Sequence, residues 1–249
     1  MLAVMERAFH WPDFMPAFAE AAEASGFTAE VLAETQAGPL MAWERRGEGP
    51  RIYLSAGIHG DEPAGPLALL ELMRSGFFTA EFHWSLCPAL NPFGLAAASR
   101  GNADGIDLNR DYRLRRTREI IAHADWLEKR GSPELFLSLH EDWECGGFYL
   151  YEINLAEDFP DRTRAILEAV QPWFLLEQGP DIDGHLPREP GWIFHAAEAD
   201  VPEGWPEAIH LAKLGCPLSY TFETPSRAPL HDRVAAHCAA VREACRVFA

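Results

Sequence analysis

Four groups of polar residues in this chain are of types that can assemble a metal-dependent hydrolytic centre. The first is His59-x-x-Glu62 in GIHGDEP, where an imidazole and a carboxylate three residues apart can turn toward one point if a strand ends and a helix begins there. Both are good Zn²⁺ ligands at about 2.0–2.2 Å, although a helix-capping glutamate beside an incidental histidine has the same spacing. The second is His140, which closes the apolar run LFLSL and is followed by Glu141 and Asp142. A histidine at a strand end is commonly structural. A catalytic zinc, however, takes three protein ligands and keeps a position open for water, and His59, Glu62 and His140 make a two-histidine, one-carboxylate set. The third is Glu223 in SYTFETP, which leaves an apolar strand either as a paired surface charge or as the general base that amide hydrolysis needs. The fourth is the loop NPFGLAAASRGNADGIDLNRDY, with Arg100, Asp107, Asn109 and Arg110 among glycines. One guanidinium fork can bind a carboxylate and a second can stabilise an oxyanion, whereas a solvated basic loop would have the same composition.

These residues have to be positioned by regular elements. Residues 51–58 (RIYLSAGI) form an apolar run bounded by Pro50 and Gly60 and read as a buried strand, and Pro63 to Ser75 follows with helical periodicity. His59 and Glu62 therefore fall on a strand-to-helix turn. Strands are also expected over residues 82–90, 135–139, 148–153 and 218–222, and helices over the first 25 or so residues, 114–129, 160–170 and 230–249. Residues 91–111 read as loop, and the proline- and glycine-rich stretch from Gly179 to Gly204 as a long surface excursion. Alternating strands and helices predict one α/β domain over residues 1–249, with a mixed, mostly parallel twisted sheet covered by helices on both faces. All four polar groups then lie at or just after strand ends, where an open α/β sheet has its ligand crevice.

Bulk composition limits the partners. A hydrophobic fraction of 48% with 24% charged residues is that of a globular chain able to bury a core. A formal charge of −17 repels nucleic acid and anionic membranes, and the one dense basic cluster, Arg110 to Arg118, reads equally well as a solvated helix face. Five cysteines without CxxC spacing argue for reduced thiols, and no stretch approaches the roughly 20 apolar residues of a membrane span, so a cytoplasmic location is expected.

In ordered motifs the chain resembles the zinc carboxypeptidase superfamily, together with its succinylglutamate desuccinylase and aspartoacylase group. That pattern runs HxxE, an Asn-Pro loop with an arginine, DxNR, a strand-terminal histidine and a strand glutamate. The chain presents His59/Glu62, Asn91-Pro92 with Arg100, Asp107-Leu108-Asn109-Arg110, His140 and Glu223 in that order, within residues 50–226. The resemblance implies a carboxypeptidase-like α/β/α sandwich and one Zn²⁺ per chain on His59, Glu62 and His140. It also implies Glu223 as base and proton shuttle, Arg100 polarising the scissile carbonyl, Asn109 and Arg110 gripping a substrate carboxylate, and Asp107 orienting the His59 ring. Digestive members carry a mobile tyrosine about 20 residues before the glutamate. This chain has Trp192, Phe194 and Trp205 in that region and no tyrosine there before Tyr220.

The same motifs serve a metallocarboxypeptidase or small-peptide amidase and an N-acyl amino acid deacylase. Aspartoacylase-type enzymes carry a further C-terminal β-rich domain, whereas this chain ends in a helix soon after Glu223, which favours the peptidase side. An inactive metal- or peptide-binding module is the non-enzymatic alternative. The expected substrate is a small peptide or an N-acyl amino acid. Residue types alone leave Glu141 and Asp142 unassigned.

Overall fold

A computed structural model describes residues 9–249. Helix α1 (Trp11–Ala24) buries Phe14, Phe18 and Ala22 and stops ahead of Gly26, whose φ of 79° lets the chain reverse; the part of the expected N-terminal helix before residue 9 lies outside the described residues. A hairpin of β1 (Thr28–Thr35) and β2 (Gly38–Arg45) follows, which the sequence reading did not anticipate. The miss has a physical cause: β1 is a largely exposed edge strand, so it lacks the inside-outside alternation that identifies half-buried strands.

The central strands are β3 (Arg51–Ala56), β4 (His83–Cys87), β5 (Leu135–Asp142) and β8 (Leu218–Pro225), with β6 (Tyr149–Asn154) and β7 (Trp192–Phe194) completing one eight-stranded sheet. The order is β1-β2-β4-β3-β5-β8-β6-β7. Strands β4, β3, β5 and β8 run parallel, β6 and β7 pair parallel with each other, and β1, β2 and β6 supply the antiparallel joins. The expected mixed, mostly parallel sheet is therefore found, as is its covering on both faces. On one side α1, α2 (Ala64–Arg74), α5 (Pro160–Val170) and α7 (Leu230–Phe248) enclose the larger core, which includes Ile52, Leu54, Leu135, Leu137 and Phe222. On the other, α4 (Arg118–Arg130) and α6 (Glu207–Lys213) cover Tyr53 and Phe136.

Strand alternation decides which side chains meet. Along β5, Leu135, Leu137 and Leu139 enter the larger core, while Phe136 lies with the opposite cluster; Ser138 and His140 share the face of Phe136 by the two-residue period. Paired residues across a sheet share a face, so the ladder places His140 beside Glu223 on β8 and Glu223 beside Tyr149 on β6. One residue pair deeper, Ser55, Ser138, Thr221 and Tyr151 form a second polar row across β3, β5, β8 and β6.

Several element limits differ from expectation, β5 and β8 among them, which run on to Asp142 and Pro225. Helix α4 begins at Arg118 rather than Leu114, because Thr117 caps it by accepting the Ile120 N–H and Arg115 has a left-handed backbone at φ 49°. The 91–111 loop contains the short helix α3 (Pro92–Ala97) and a 3-10 turn over Leu108–Arg110. The 179–204 excursion contributes β7 to the sheet edge instead of remaining irregular. In the basic stretch 110–118 two of the five arginines form ion pairs, Arg115 with Glu128 and Arg116 with the buried Asp111. All five cysteines are free thiols, and no helix among the described residues is long and apolar enough to cross a membrane.

Candidate active site

The carboxyl ends of β3, β5 and β8 open into a cavity of about 350 Å³. After β3 the chain turns sharply: Gly57 has φ 64°, and Gly60 lies so close to the Gly94 backbone that a Cβ there would fall 1.8 Å from the Gly94 carbonyl carbon. Asn91 clamps this turn by donating to the Ile58 and Arg100 carbonyls and accepting the Gly94 N–H. The Asn-Pro motif thus fastens the His59–Glu62 turn to the loop that carries Arg100.

His59, Glu62 and His140 are all buried, and their donor atoms lie within 4.8 Å of one another. Glu62 is the hub: Oε1 is 2.6 Å from His59 Nδ1, and Oε2 is 3.0 Å from His140 Nδ1 and accepts the Glu141 N–H at 3.1 Å. Tetrahedral ligands at 2.0–2.1 Å from a zinc ion stand about 3.3 Å apart, so this donor set suits such an ion with modest outward adjustment. Asp107 Oδ1 lies 3.1 Å from His59 Nε2. The Asp107 carboxylate can only accept, so Nε2 carries a proton toward it and Nδ1 is turned toward Glu62, the ring orientation in which a histidine can ligate a metal through Nδ1.

The electrostatics agree. Burial disfavours a charged His59, but Glu62 and Asp107 outweigh it and push the imidazole up to about 9. Burial likewise opposes ionisation of Glu62, yet His59 and His140 hold its carboxyl well below the ordinary range. His140 is lowered, burial outweighing the attraction of Glu62. The Glu62 carboxylate and its two imidazoles thus draw positive charge to one point. Burial raises Glu223 well above the usual carboxylate range, and the acids Glu62, Asp142 and Asp183 add to the effect.

Arg100 reaches the same point from the loop, with Nη2 3.1 Å from Asp107 and Nη1 3.5 Å from Glu62. Arg110, implied as a grip on a substrate carboxylate, lines the cavity but is exposed and donates to the Asn109 carbonyl, so it stands at the rim. Asn109 is buried and its Oδ1 caps α6 by accepting the Glu207 N–H at 2.9 Å, which gives it a structural task alongside any contact with substrate. Glu141 and Asp142 separate by alternation. Glu141 turns away from His140, accepting the Ala64 N–H at 2.7 Å and pairing with Arg233 of α7, whereas Asp142 faces the cavity and accepts from the Tyr149 hydroxyl at 2.9 Å.

Several lining residues escaped the sequence reading. Tyr149 and Tyr151 face the cavity from β6, whereas Trp192, Phe194 and Trp205 do not line it. Strand alternation gives the two tyrosines one shared face, and sheet order puts that face beside Glu223. Glu207, His185, His195 and Asp200 also line the wall, and none of them stands in a recognisable local motif.

A chain with this mixed α/β sheet and this buried His–Glu–His cluster is similar in sequence and fold to proteins named as metallopeptidases and carboxypeptidases. Residues 48–130 match the family model for the succinylglutamate desuccinylase/aspartoacylase catalytic domain. Carboxypeptidase SOL1 of Arabidopsis thaliana is 32% identical over 74 residues, 25% of this chain and 15% of that protein. Carboxypeptidase 2 of Trichophyton tonsurans is 31% identical over 101 residues, 36% and 18% of the respective chains, so this chain spans under a fifth of either relative. The crystal structure of a candidate metallopeptidase from Shewanella amazonensis superposes with a TM-score of 0.82 at 25% identity, covering 95% of this chain and 92% of that one. A metallo-carboxypeptidase from Burkholderia cenocepacia shares the fold, with a TM-score of 0.65 at 16% identity over 93% and 69% of the two chains. The likeness to the succinylglutamate desuccinylase/aspartoacylase catalytic domain thus spans about a third of the chain, and the likeness in fold to the Shewanella amazonensis protein spans nearly all of it.

Proposed function

We propose that the protein is a zinc-dependent hydrolase that cleaves an amide bond next to a free carboxylate, as a metallocarboxypeptidase or small-peptide amidase. The observation that carries this reading is the convergence of His59 Nδ1, Glu62 and His140 Nδ1 at a strand-end cavity, with Glu223 beside His140 in the ladder. His59, Glu62 and His140 would hold one zinc ion, which when bound supplies Lewis acidity toward water and the scissile carbonyl. Glu223 takes the proton of the attacking water on its carboxylate and returns it to the leaving nitrogen. A proton affinity raised by burial suits a group that must do both near neutral pH. Arg100 offers its half-exposed guanidinium to the carbonyl oxygen, held in place by Asp107 and Glu62. Arg110 at the rim and Asn109 behind it bind the substrate carboxylate.

A second reading, an N-acyl amino acid deacylase, is supported by the match of residues 48–130 to the desuccinylase/aspartoacylase catalytic domain. Both readings share the base. Glu223→Gln keeps the shape of the side chain and removes its basicity, so zinc content should stay unchanged while turnover falls on the order of 10²-fold or more. Assays on dipeptides and N-acyl amino acids, each with free and amidated carboxylates, separate the two readings. Undiminished turnover in the variant would refute the assignment of the base.

A further inference from the structure

A second two-histidine, one-carboxylate cluster stands in the wall of the same cavity. His185, His195 and Asp200 all belong to the 179–204 excursion, and their ligand atoms lie within 4.8 Å of one another. His185 Nε2 is 3.3 Å and His195 Nε2 3.5 Å from the same oxygen, Oδ1 of Asp200. The opposite ring nitrogens are both committed. His185 Nδ1 is 2.7 Å from the Asp183 carbonyl oxygen and His195 Nδ1 is 2.6 Å from that of Ala196. A carbonyl oxygen only accepts, so each Nδ1 carries a proton, and in the neutral imidazoles both Nε2 lone pairs point at a carboxylate oxygen. Three acceptors aimed at one another repel unless a cation lies between them, and fixing the tautomer through a backbone carbonyl is how proteins prepare histidines to ligate metals.

We propose that His185, His195 and Asp200 form a second divalent-cation site of the zinc class, whose ion fastens the excursion into a fixed wall of the cavity. The spacings of 3.3 and 3.5 Å match the edge of about 3.3 Å expected between ligands of a tetrahedral ion with bonds of 2.0–2.1 Å. Two imidazoles select a borderline ion such as Zn²⁺ over Mg²⁺ or Ca²⁺, which take oxygen ligands. Mechanically, the cluster joins two limbs of one segment. His185 follows a tight turn in which Asp183 and Gly184 have φ of 48° and 75°, and His195 directly follows β7. The Tyr151 ring lies against both imidazoles, with centroids at 5.4 and 5.9 Å, and its hydroxyl donates to Asp183. An ion here would also offset the acidic wall made by Asp142, Asp183 and Asp200, beside which a carboxylate-bearing substrate has to pass. None of the three ligands belongs to the His59–Glu62–His140 cluster, so this site stands apart from the proposed reaction.

The test is metal stoichiometry on the full chain, stripped with a chelator and titrated with Zn²⁺ by calorimetry and with Co²⁺ by visible absorption near neutral pH. Wild type should bind two ions per chain, both retained through gel filtration in metal-free buffer. His195→Ala should lose one of them. Asp200→Asn, a change at an exposed side chain that leaves the fold unthreatened, should weaken the same ion by at least about 10-fold. His140→Ala should lose the other ion and keep this one, so failure at the hydrolytic centre is read separately. One ion per chain in wild type, or a second ion indifferent to both His195→Ala and Asp200→Asn, would overturn the proposal. In the first case protons shared with Asp200 hold the cluster together.

Discussion

Glu207 is a buried carboxylate with no cation beside it, and this makes the pH dependence of stability calculable. A chain of donors ends on it: Tyr112 OH to His123 Nδ1, His123 Nε2 to Tyr53 OH, Tyr53 OH to Glu207 Oε1, with Ser55 OH on Oε2, the last two at 2.7 Å. His123 stays neutral in this network, because burial pushes it down to about 3. Burial raises Glu207 to about 7 from an ordinary 4.5, against the opposing pull of the Ser55 and Tyr53 hydrogen bonds. A carboxyl whose folded value is raised contributes stability that is fully present below the unfolded value and lost as the pH climbs through the folded one. For these two values the loss between pH 5 and pH 8 is about 2–3 kcal/mol. Glu207→Gln removes the titration and can keep the hydrogen bonds, since its amide can donate to Ser55 Oγ, which has Ser138 Oγ 3.2 Å away as a further partner. Urea unfolding of both proteins at the two pH values isolates Glu207, because groups they share cancel in the difference. The variant should gain on wild type by about 2–3 kcal/mol between pH 5 and pH 8. A difference constant within about 0.5 kcal/mol, the ordinary limit of additivity, would show that Glu207 is not a buried uncompensated acid.

Asp107→Asn should weaken zinc binding about 10- to 100-fold in a chelator competition, because a neutral amide oxygen holds the His59 Nε2 proton more weakly than a carboxylate and leaves the ring less basic; unchanged affinity would remove Asp107 from the metal's support. Arg233→Met should lower unfolding free energy at pH 8 by about 3–5 kcal/mol, since it leaves the fully buried Glu141 without its cation. The loss should shrink in acid, where Glu141, pushed up to about 7 mainly by burial, takes a proton, and it should be largely restored by adding Glu141→Gln.

The sequence by itself placed the metal-ligating candidates. His59, Glu62, His140 and Glu223 each end or follow a strongly apolar segment, and apolar segments are where local pattern and tertiary burial have the same cause. The cores of β3, β5 and β8 and all of α5 were legible for that reason, and so was the sheet's two-sided cover. Alternation along LFLSLHED even held the fate of Glu141, since the leucines face the larger core and Glu141 follows their parity toward Arg233. Other features had no local signature. Strand β1 is too exposed to alternate, and α6 is a short helix behind a proline-rich stretch. Tyr149 and Tyr151 reach the cavity only because β6 inserts antiparallel beside β8. Glu207 meets Tyr53 and Ser55 from more than 150 residues away. His185, His195 and Asp200 converge because one excursion folds back on a three-residue edge strand. Strand ends can be read from one segment's own hydrophobicity, whereas strand order and the return path of a loop depend on packing between distant segments, so the tertiary structure alone decided what surrounds the proposed zinc site.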